Sequence, residues 1–173
     1  MTANQTTHCI SLPVAAWRAA RIALLLMAYA TVTSGSATAQ NAADSALIAA
    51  AERGDAASVE RLLKQGASAK ARDGTGRTAL LAATQHNRIE VVRELLKTRV
   101  ALDHVNKLGW TCLLEAVILG DGGARHTEIV RLAVAAGANV NLADRDGATP
   151  LRHARARGQH AIAQLLEAAG ARP

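Results

Sequence analysis

The sequence predicts an all-α fold in which short helix pairs stack on one another behind an N-terminal leader. Half of the 173 residues are hydrophobic, yet only 2% are aromatic and Phe is absent. A core of Ala, Leu, Val and Ile suits closely packed helices better than a sheet-rich fold. A turn-and-helix pattern also recurs, and Thr78 and Thr111 occupy matching positions 33 residues apart. A fixed period of this kind is typical of repeat architectures.

The first 39 residues differ in composition from the rest of the chain. They contain Arg18 and Arg21 but no acidic residue, then an apolar run over 22–30, then the string ATA at 37–39. This order is typical of a secretory signal peptide that is cleaved at its end. The alternative is a retained membrane anchor, but the apolar run is shorter than the roughly 20 residues of a spanning helix. We therefore expect residues 40–173 to form the domain and to be periplasmic or secreted.

Charge and cysteine content restrict the partners and the redox chemistry. The leader holds two of the 20 basic residues and none of the 14 acidic ones, so residues 40–173 carry a formal net charge of +4. That charge is low for a dedicated nucleic-acid-binding domain, and we predict no nucleic-acid partner. Cys9 lies in the leader, which leaves Cys112 without an internal disulfide partner. We expect Cys112 to be a small buried hydrophobe; the alternatives are a redox sensor or a disulfide to a partner.

Three copies of the repeat share a turn with the same spacing. Each turn begins at an Asp or Asn, which can bond nearby backbone N–H groups. A Gly three residues later allows a positive φ, and two residues after it comes a Thr, a preferred N-cap for the next helix. The turn positions are Asp73, Gly76 and Thr78, then Asn106, Gly109 and Thr111, then Asp144, Gly147 and Thr149. Second helices are expected to end at Gly66, Gly137 and Gly170.

This pattern resembles the D-x-x-G-x-T-P-L-H-x-A signature of the ankyrin repeat family over nearly all of residues 41–171. The resemblance implies a β-turn finger followed by two antiparallel helices in each repeat. The predicted repeats are 41–72, 73–105, 106–143 and 144–173. The first copy lacks the turn, with Ser45 at the position of the Thr, and is expected to cap the N-terminal end of the stack. The fourth is expected to cap the C-terminal end.

The sequence departs from the family pattern at three places. No copy has the His that follows T-P-L, since Leu81, Leu114 and Arg152 stand there. Some hydrogen bonding between neighbouring turns should therefore be missing. Arg99 replaces the Gly that would end the second helix of repeat two, so that helix should end differently. Repeat three is five residues longer than the period, and the excess at 120–125 is expected to form a loop between its two helices.

Motifs of catalysis and metal binding are missing from the sequence. It has no P-loop, GxGxxG, HExxH or GxSxG string, and no His, Cys and Asp cluster has the spacing of metal ligands. We predict no catalytic residue, no cofactor and no metal. The resemblance implies partner binding through the finger tips and the exposed side of the first helices. The matching positions are Arg72, Arg77, His86, Lys107, Leu108, Trp110, Ile118, Leu119 and Arg145.

Repeat three has the composition of an interface. Trp110 is the only aromatic residue after the leader, and Leu108 precedes it on the same finger. Buried Trp and Arg dominate interface energies. The alternative is that Trp110 packs on its own repeat and covers the inserted residues. The recurring basic residues of the fingers are either a solvated rim or a stripe for an acidic partner surface.

The sequence therefore predicts a monomeric, non-catalytic scaffold for protein–protein interaction that acts outside the cytoplasm. It would dock another protein on the concave surface of fingers and first helices, with no membrane contact once the leader is removed. The alternatives are an inhibitor, immunity or protective factor for one exported enzyme, or a secreted effector. The sequence leaves the choice among them open, because different functions are built on a common frame.

Overall fold

A computed structural model of the protein describes residues 38–172, and within that range it contains eight α-helices and no strand. Most of the predicted leader lies outside the described residues. The helices are α1 (38–53), α2 (Ala56–Lys64), α3 (Ala79–Gln85), α4 (Ile89–Leu96), α5 (Cys112–Ile118), α6 (Ala124–Ala135), α7 (Pro150–Ala156) and α8 (His160–Ala168). The predicted all-α fold of about four helix pairs is confirmed.

The helices form two layers, because each pair packs on the next. Within the pairs α3 contacts α4, α5 contacts α6 and α7 contacts α8. Between pairs, α3, α5 and α7 contact one another in sequence order, as do α2, α4, α6 and α8. Fully buried aliphatic side chains fill the space between the layers, among them Leu81, Val91, Ile129 and Ile162. No helix pair could bury this apolar surface alone, so stacking of the repeats stabilises the fold.

The three first helices α3, α5 and α7 begin as the sequence predicts. Thr78, Thr111 and Thr149 are their N-caps, each with an extended backbone. The Thr78 hydroxyl accepts a hydrogen bond from the Leu81 N–H at 3.4 Å, and the other two threonines make the equivalent bond. Each bond satisfies a backbone donor that the helix itself leaves unpaired.

The turns that precede these helices are also built as predicted. We call residues 73–77 finger 2, residues 106–110 finger 3 and residues 144–148 finger 4. The first side chain of each finger accepts hydrogen bonds from the backbone N–H groups two and four residues later, at 2.8–3.1 Å. Gly76, Gly109 and Gly147 have φ of 81°, 89° and 73°, a conformation that side chains with a Cβ rarely adopt.

The second helices end in two ways. Gly66, Gly137 and Gly170 follow the C-caps of α2, α6 and α8 with φ of 95°, 91° and 85°, as predicted. Helix α4 ends at Leu96, and the Thr98 hydroxyl donates to the Leu95 carbonyl at 2.7 Å. Side-chain capping thus replaces the glycine where Arg99 stands, as we expected from the cost of a left-handed Arg.

Ser45 matches the N-cap threonines in position but lies inside α1, which is already helical at residue 38, the first described residue, and runs to 53. One local expectation needs correction. The inserted residues of repeat three are not all loop. Helix α6 is 12 residues long, and it begins at Ala124, three residues before the position that opens α4 and α8. Residues 120–123 form the loop, and 124–126 add most of a turn to α6.

Candidate functional site

A groove of about 710 Å³ lies between fingers 2 and 3, beside the last turns of α3 and α5. It opens where the family resemblance predicts partner contacts. We call it the finger groove. It is lined by Gly74, Thr75, Arg77, Gln85, Asn106, Lys107, Leu108, Trp110, Glu115 and Leu119. Five of the nine site residues predicted from the sequence line it, namely Arg77, Lys107, Leu108, Trp110 and Leu119.

One wall of the finger groove is apolar. Leu108 is 59% exposed and Leu119 is 47% exposed, and between them Trp110 is half-buried. Large aliphatic side chains on the surface are common when isolated, but a group of them beside an aromatic ring marks an interaction site. Finger 3 sets the position of this wall, because the Asn106 carbonyl and side chain both fix the backbone between Leu108 and Trp110.

The opposite wall is cationic. The Arg77 guanidinium donates to the Asp73 carboxylate at 3.0 Å and to the Gln85 side-chain oxygen at 2.9 Å. It also lies 3.8 Å from the carboxylate of Glu52, a residue of α1. Burial acts to raise the pKa of Asp73, but hydrogen bonds from Thr75 and Arg77 outweigh it and lower that pKa to about 2. Arg77 is thus held in place across the mouth of the groove.

Glu115 closes the inner end of the finger groove and was missed by the sequence reasoning. It is only 3% exposed, and its Oε1 accepts from the Asn106 side-chain N–H at 2.9 Å. Its Oε2 is buried and has no hydrogen-bond partner. Burial raises the pKa of Glu115 to about 7, against the lowering effect of the Asn106 hydrogen bond. The sequence does carry a sign of this site, because Glu115 is a charged residue within a helix whose other residues are apolar.

Long side chains link neighbouring fingers. The Lys107 ammonium donates to the Gly74 carbonyl at 2.6 Å, and a ring nitrogen of His104 lies 2.8 Å from the Gly76 carbonyl oxygen. Arg145 donates to the Lys107 carbonyl in turn. The expectation that hydrogen bonds between turns would be missing is therefore wrong in part: basic side chains make them instead. Lys107 and Arg145 still expose their charge.

The remaining predicted site residues lie outside the finger groove. Ile118 is half-buried and does not line it. The His86 ring lies 3.2 Å from the Glu52 carboxylate, on the side of repeat one. Arg72 is exposed before finger 2, and Arg145 is exposed on finger 4. The structure therefore gathers four of the five predicted repeat-three residues, all except Ile118, with Arg77 and leaves the others outside the groove.

The inserted loop of repeat three is held by the next repeat. The Gln159 side chain donates to the carbonyls of Val117 and Gly120 at 3.0 and 2.9 Å, and it packs against Gly122. Asp121 accepts from the Gly123 N–H and lies 2.9 Å from a ring nitrogen of His126. The loop is therefore a packed element of the stack.

Cys112 is the buried hydrophobe that we expected. It is 2% exposed, and its thiol donates to the Leu102 carbonyl at 3.4 Å. Burial, with smaller effects of Asp103 and Glu115, raises the pKa of the thiol to about 12. Since the thiolate is the reactive form, this cysteine is unsuited to redox sensing or to a disulfide with a partner.

Neither a metal centre nor a membrane-spanning helix is found in the described part of the chain. Among residues 38–172, no three His, Cys, Asp or Glu side chains are grouped so that they could hold a metal ion. None of the helices in that range is long and apolar enough to cross a bilayer.

Family comparisons match most of the chain. A profile described as ankyrin repeats (3 copies) matches residues 14–103 and 46–123, and one described as ankyrin repeats (many copies) matches 123–167. An ankyrin repeat domain of Acinetobacter baumannii, solved by crystallography, is similar in structure with a TM-score of 0.71 and 46% identity. That similarity covers 73% of this chain and 64% of the crystallised chain.

Curated relatives extend beyond the matched segment. The ankyrin repeat protein YahD of Escherichia coli is 45% identical over 97 residues, which is 56% of this chain and 48% of YahD. Diacylglycerol kinase zeta of Rattus norvegicus is 35% identical over 123 residues, 70% of this chain but 13% of the kinase. The chain thus spans about half of the first relative and a small part of the second.

Proposed function

Because the chain belongs to the ankyrin repeat family, whose repeats are scaffolds for protein–protein interaction, we propose that it binds a partner protein in the finger groove. One observation carries this proposal: Leu108 and Leu119 are both about half exposed and flank a half-buried Trp110. An apolar patch with a polar border is the usual composition of an interface. Arg77 and Lys107 supply that border.

We also propose that binding is non-catalytic and takes place outside the cytoplasm. The sequence lacks the motifs of the common catalytic sites, and ankyrin repeats in relatives are generally scaffold domains. The kinase named above matches over 13% of its length, so its activity is not carried over. Export is supported by the composition of residues 1–39 alone. Mass spectrometry of the chain recovered from periplasmic and culture fractions tests it, and an N-terminus at Gln40 is the expected result.

The partner-binding proposal is tested by substitutions on the exposed apolar wall. Affinity capture from cell-envelope extract is compared between the wild type and Leu108→Ser with Leu119→Ser. Both side chains are about half exposed, so the double variant should still fold. Val105→Ser is the matched control, because Val105 is 48% exposed but does not line the groove.

We expect the double variant to lose the captured partner and Val105→Ser to keep it. An unchanged set of captured proteins from the double variant would contradict the finger groove as the docking surface. The identity of a captured protein also separates the alternatives: one exported enzyme bound in stoichiometric amount favours a specific inhibitor or protective factor. Recovery of the chain mainly from the medium favours a secreted effector.

A further inference from the structure

We propose that the finger groove accepts a tyrosine side chain from an acidic segment of the partner, with the phenol hydrogen-bonded to Glu115. This inference rests on the proposed function and names the chemistry that the groove recognises. It follows from three features of the groove: an unpaired carboxylate oxygen at the inner end, an apolar wall, and a cationic rim.

The inner end of the groove requires a hydrogen-bond donor. Glu115 is 3% exposed, its Oε1 is engaged by Asn106, and its Oε2 has no partner. A buried acceptor that lost its water without gaining a donor is destabilising. An inserted O–H that donates to this carboxylate removes that cost. Glu115 lines the groove, and the inserted phenol reaches Oε2 by displacing the side chains that cover this atom.

The wall requires an apolar body of aromatic size. Leu108, Trp110 and Leu119 leave a space of about 710 Å³ that includes the open mouth of the groove. Aromatic rings bury more area than aliphatic side chains and pack well against a second ring. Tyrosine combines such a ring with a donor at its tip, whereas phenylalanine would leave Oε2 unpaired.

The rim determines the charge of the flanking segment. Arg77 and Lys107 line the groove, and Arg145 is joined to the Lys107 carbonyl on the next finger. Arg77 is already paired with Asp73 and Glu52, so the exposed cations Lys107 and Arg145 are the ones that favour Asp or Glu on either side of the inserted residue. A Lys or Arg as the inserted residue is disfavoured, since its positive charge would be repelled by the positive charges of Arg77 and Lys107. An inserted Asp or Glu would meet the Glu115 carboxyl.

Nine-residue peptides with acidic flanks and a central Tyr, Phe or Lys test this inference. The protein is the full chain with Trp17→Phe, which leaves Trp110 as its only tryptophan. Binding is followed by Trp110 fluorescence and by calorimetry. At pH 8, where Glu115 is mostly ionised, we expect the Tyr peptide to bind about tenfold more tightly than the Phe peptide, the ratio expected for one hydrogen bond to a charged group. The Lys peptide should bind most weakly.

Glu115→Gln is the diagnostic variant, since it keeps the shape of the side chain but presents an amide. It should reduce the Tyr-to-Phe ratio to about threefold, because an amide makes only a neutral hydrogen bond with the phenol, which is about half as strong as one to a carboxylate. Glu90→Gln, an exposed carboxylate on the outer helix α4, is the matched control and should keep the full ratio. Replacing the acidic flanks by Ser should weaken binding of the Tyr peptide in the wild type.

Three results would overturn the inference: equal binding of Tyr and Phe peptides, tightest binding of the Lys peptide, or no binding of any peptide. After either of the first two results, the finger groove would still stand as the docking surface if the double variant Leu108→Ser with Leu119→Ser abolished peptide binding. Loss of partner capture in that double variant is measured separately, so failure of the tyrosine anchor and failure of the docking surface give different results.

Discussion

Fingers 3 and 4 have the same backbone but are anchored to their helices by opposite chemistry. In finger 3 the Asn106 amide donates to the buried Glu115 carboxyl at 2.9 Å. In finger 4 the Asp144 carboxylate lies 2.7 Å from a ring nitrogen of His153, which holds the position that matches Glu115. The acid is on the helix in one repeat and on the finger in the other. Each pairing is complementary, and we infer that exchanging one member alone is harmful.

The same exchange gives the two fingers opposite dependence on pH. Burial raises the pKa of Glu115 to about 7. Burial acts to raise the pKa of Asp144 as well, but the His153 hydrogen bond and two backbone N–H groups outweigh it and lower that pKa below its usual value. Finger 3 is therefore expected to lose stability as the pH rises, and finger 4 as it falls.

The largest effect is expected from Asn106→Asp, which sets two carboxyl groups against each other. The position is 8% exposed, so the new charge would be buried beside Glu115 with no cation bonded to it. We expect a loss of about 4 kcal/mol in the free energy of unfolding at pH 8, the range for an unpaired buried charge. Urea denaturation measures it, and the loss should be smaller at pH 5, where one carboxyl is protonated.

Adding Glu115→His to Asn106→Asp recreates the pair of finger 4 within finger 3. The double variant should recover at least half of the lost free energy, a strong departure from additivity. Glu115→His alone, opposite an amide, is the comparison that completes the cycle. Additive effects of the two substitutions would show that the pairing seen in finger 4 does not transfer.

The second effect is the pH dependence of finger 3. The unfolded chain releases the Glu115 proton near its ordinary pKa of 4.5, while the folded chain holds it to about 7. The folded state therefore binds more protons between these values, and stability from this group, full below pH 4.5, is lost as the pH rises through 7. The change is at most roughly 3 kcal/mol, at about 1.4 kcal/mol per pKa unit.

Urea unfolding at pH 5, 6, 7 and 8 tests this slope against Glu115→Gln, which has no proton to lose. We expect the wild type to lose stability relative to the variant over this range, and Glu90→Gln to follow the wild type. Parallel curves for the wild type and Glu115→Gln would mean that Glu115 is ionised throughout. The wild type and Glu115→Gln share every other ionisable group, so the effects of those groups cancel in the comparison.

The contrast between these fingers shows what the sequence alone could provide. The turn signals of Asn106, Gly109 and Thr111 are local, since each acts on a backbone group within four residues, and the sequence predicted them correctly. The helix stack followed from the 33-residue period in the same way. The exposed Leu108 and the half-buried Trp110 could be predicted to lie at the surface from their place in the repeat.

Contacts between repeats could not be predicted, because they depend on where a long side chain meets a neighbour. Lys107 and Arg145 have the composition of a binding rim, yet each also donates to a carbonyl of the preceding finger. Gln159 gave no sign in the sequence of holding the loop at Gly120, 39 residues away. Glu115 was hidden for the opposite reason: its role depends on burial, which the spacing of charges does not disclose.

The smallest effect is expected in finger 2, from a substitution that gives it the Asn of finger 3. Asp73→Asn keeps the oxygen that accepts from Thr75 and Arg77 backbone groups but loses the ion pair with the Arg77 guanidinium. We expect a cost of about 1 kcal/mol at pH 7, since partly exposed ion pairs contribute little. Asp73→Ala, which removes both interactions, should cost about twice as much.

Acid titration distinguishes the charge of Asp73 from its hydrogen bonds. Because the pKa of Asp73 is about 2 in the folded chain and 3.8 otherwise, its charge stabilises the fold above pH 3.8, and this contribution is lost as the pH falls toward 2. Urea unfolding from pH 5 to pH 2 should therefore bring the wild type and Asp73→Asn together at the acid end. A gap that stays constant would assign the effect to packing, because only a titrating carboxylate can make the difference between the two proteins depend on pH in this range.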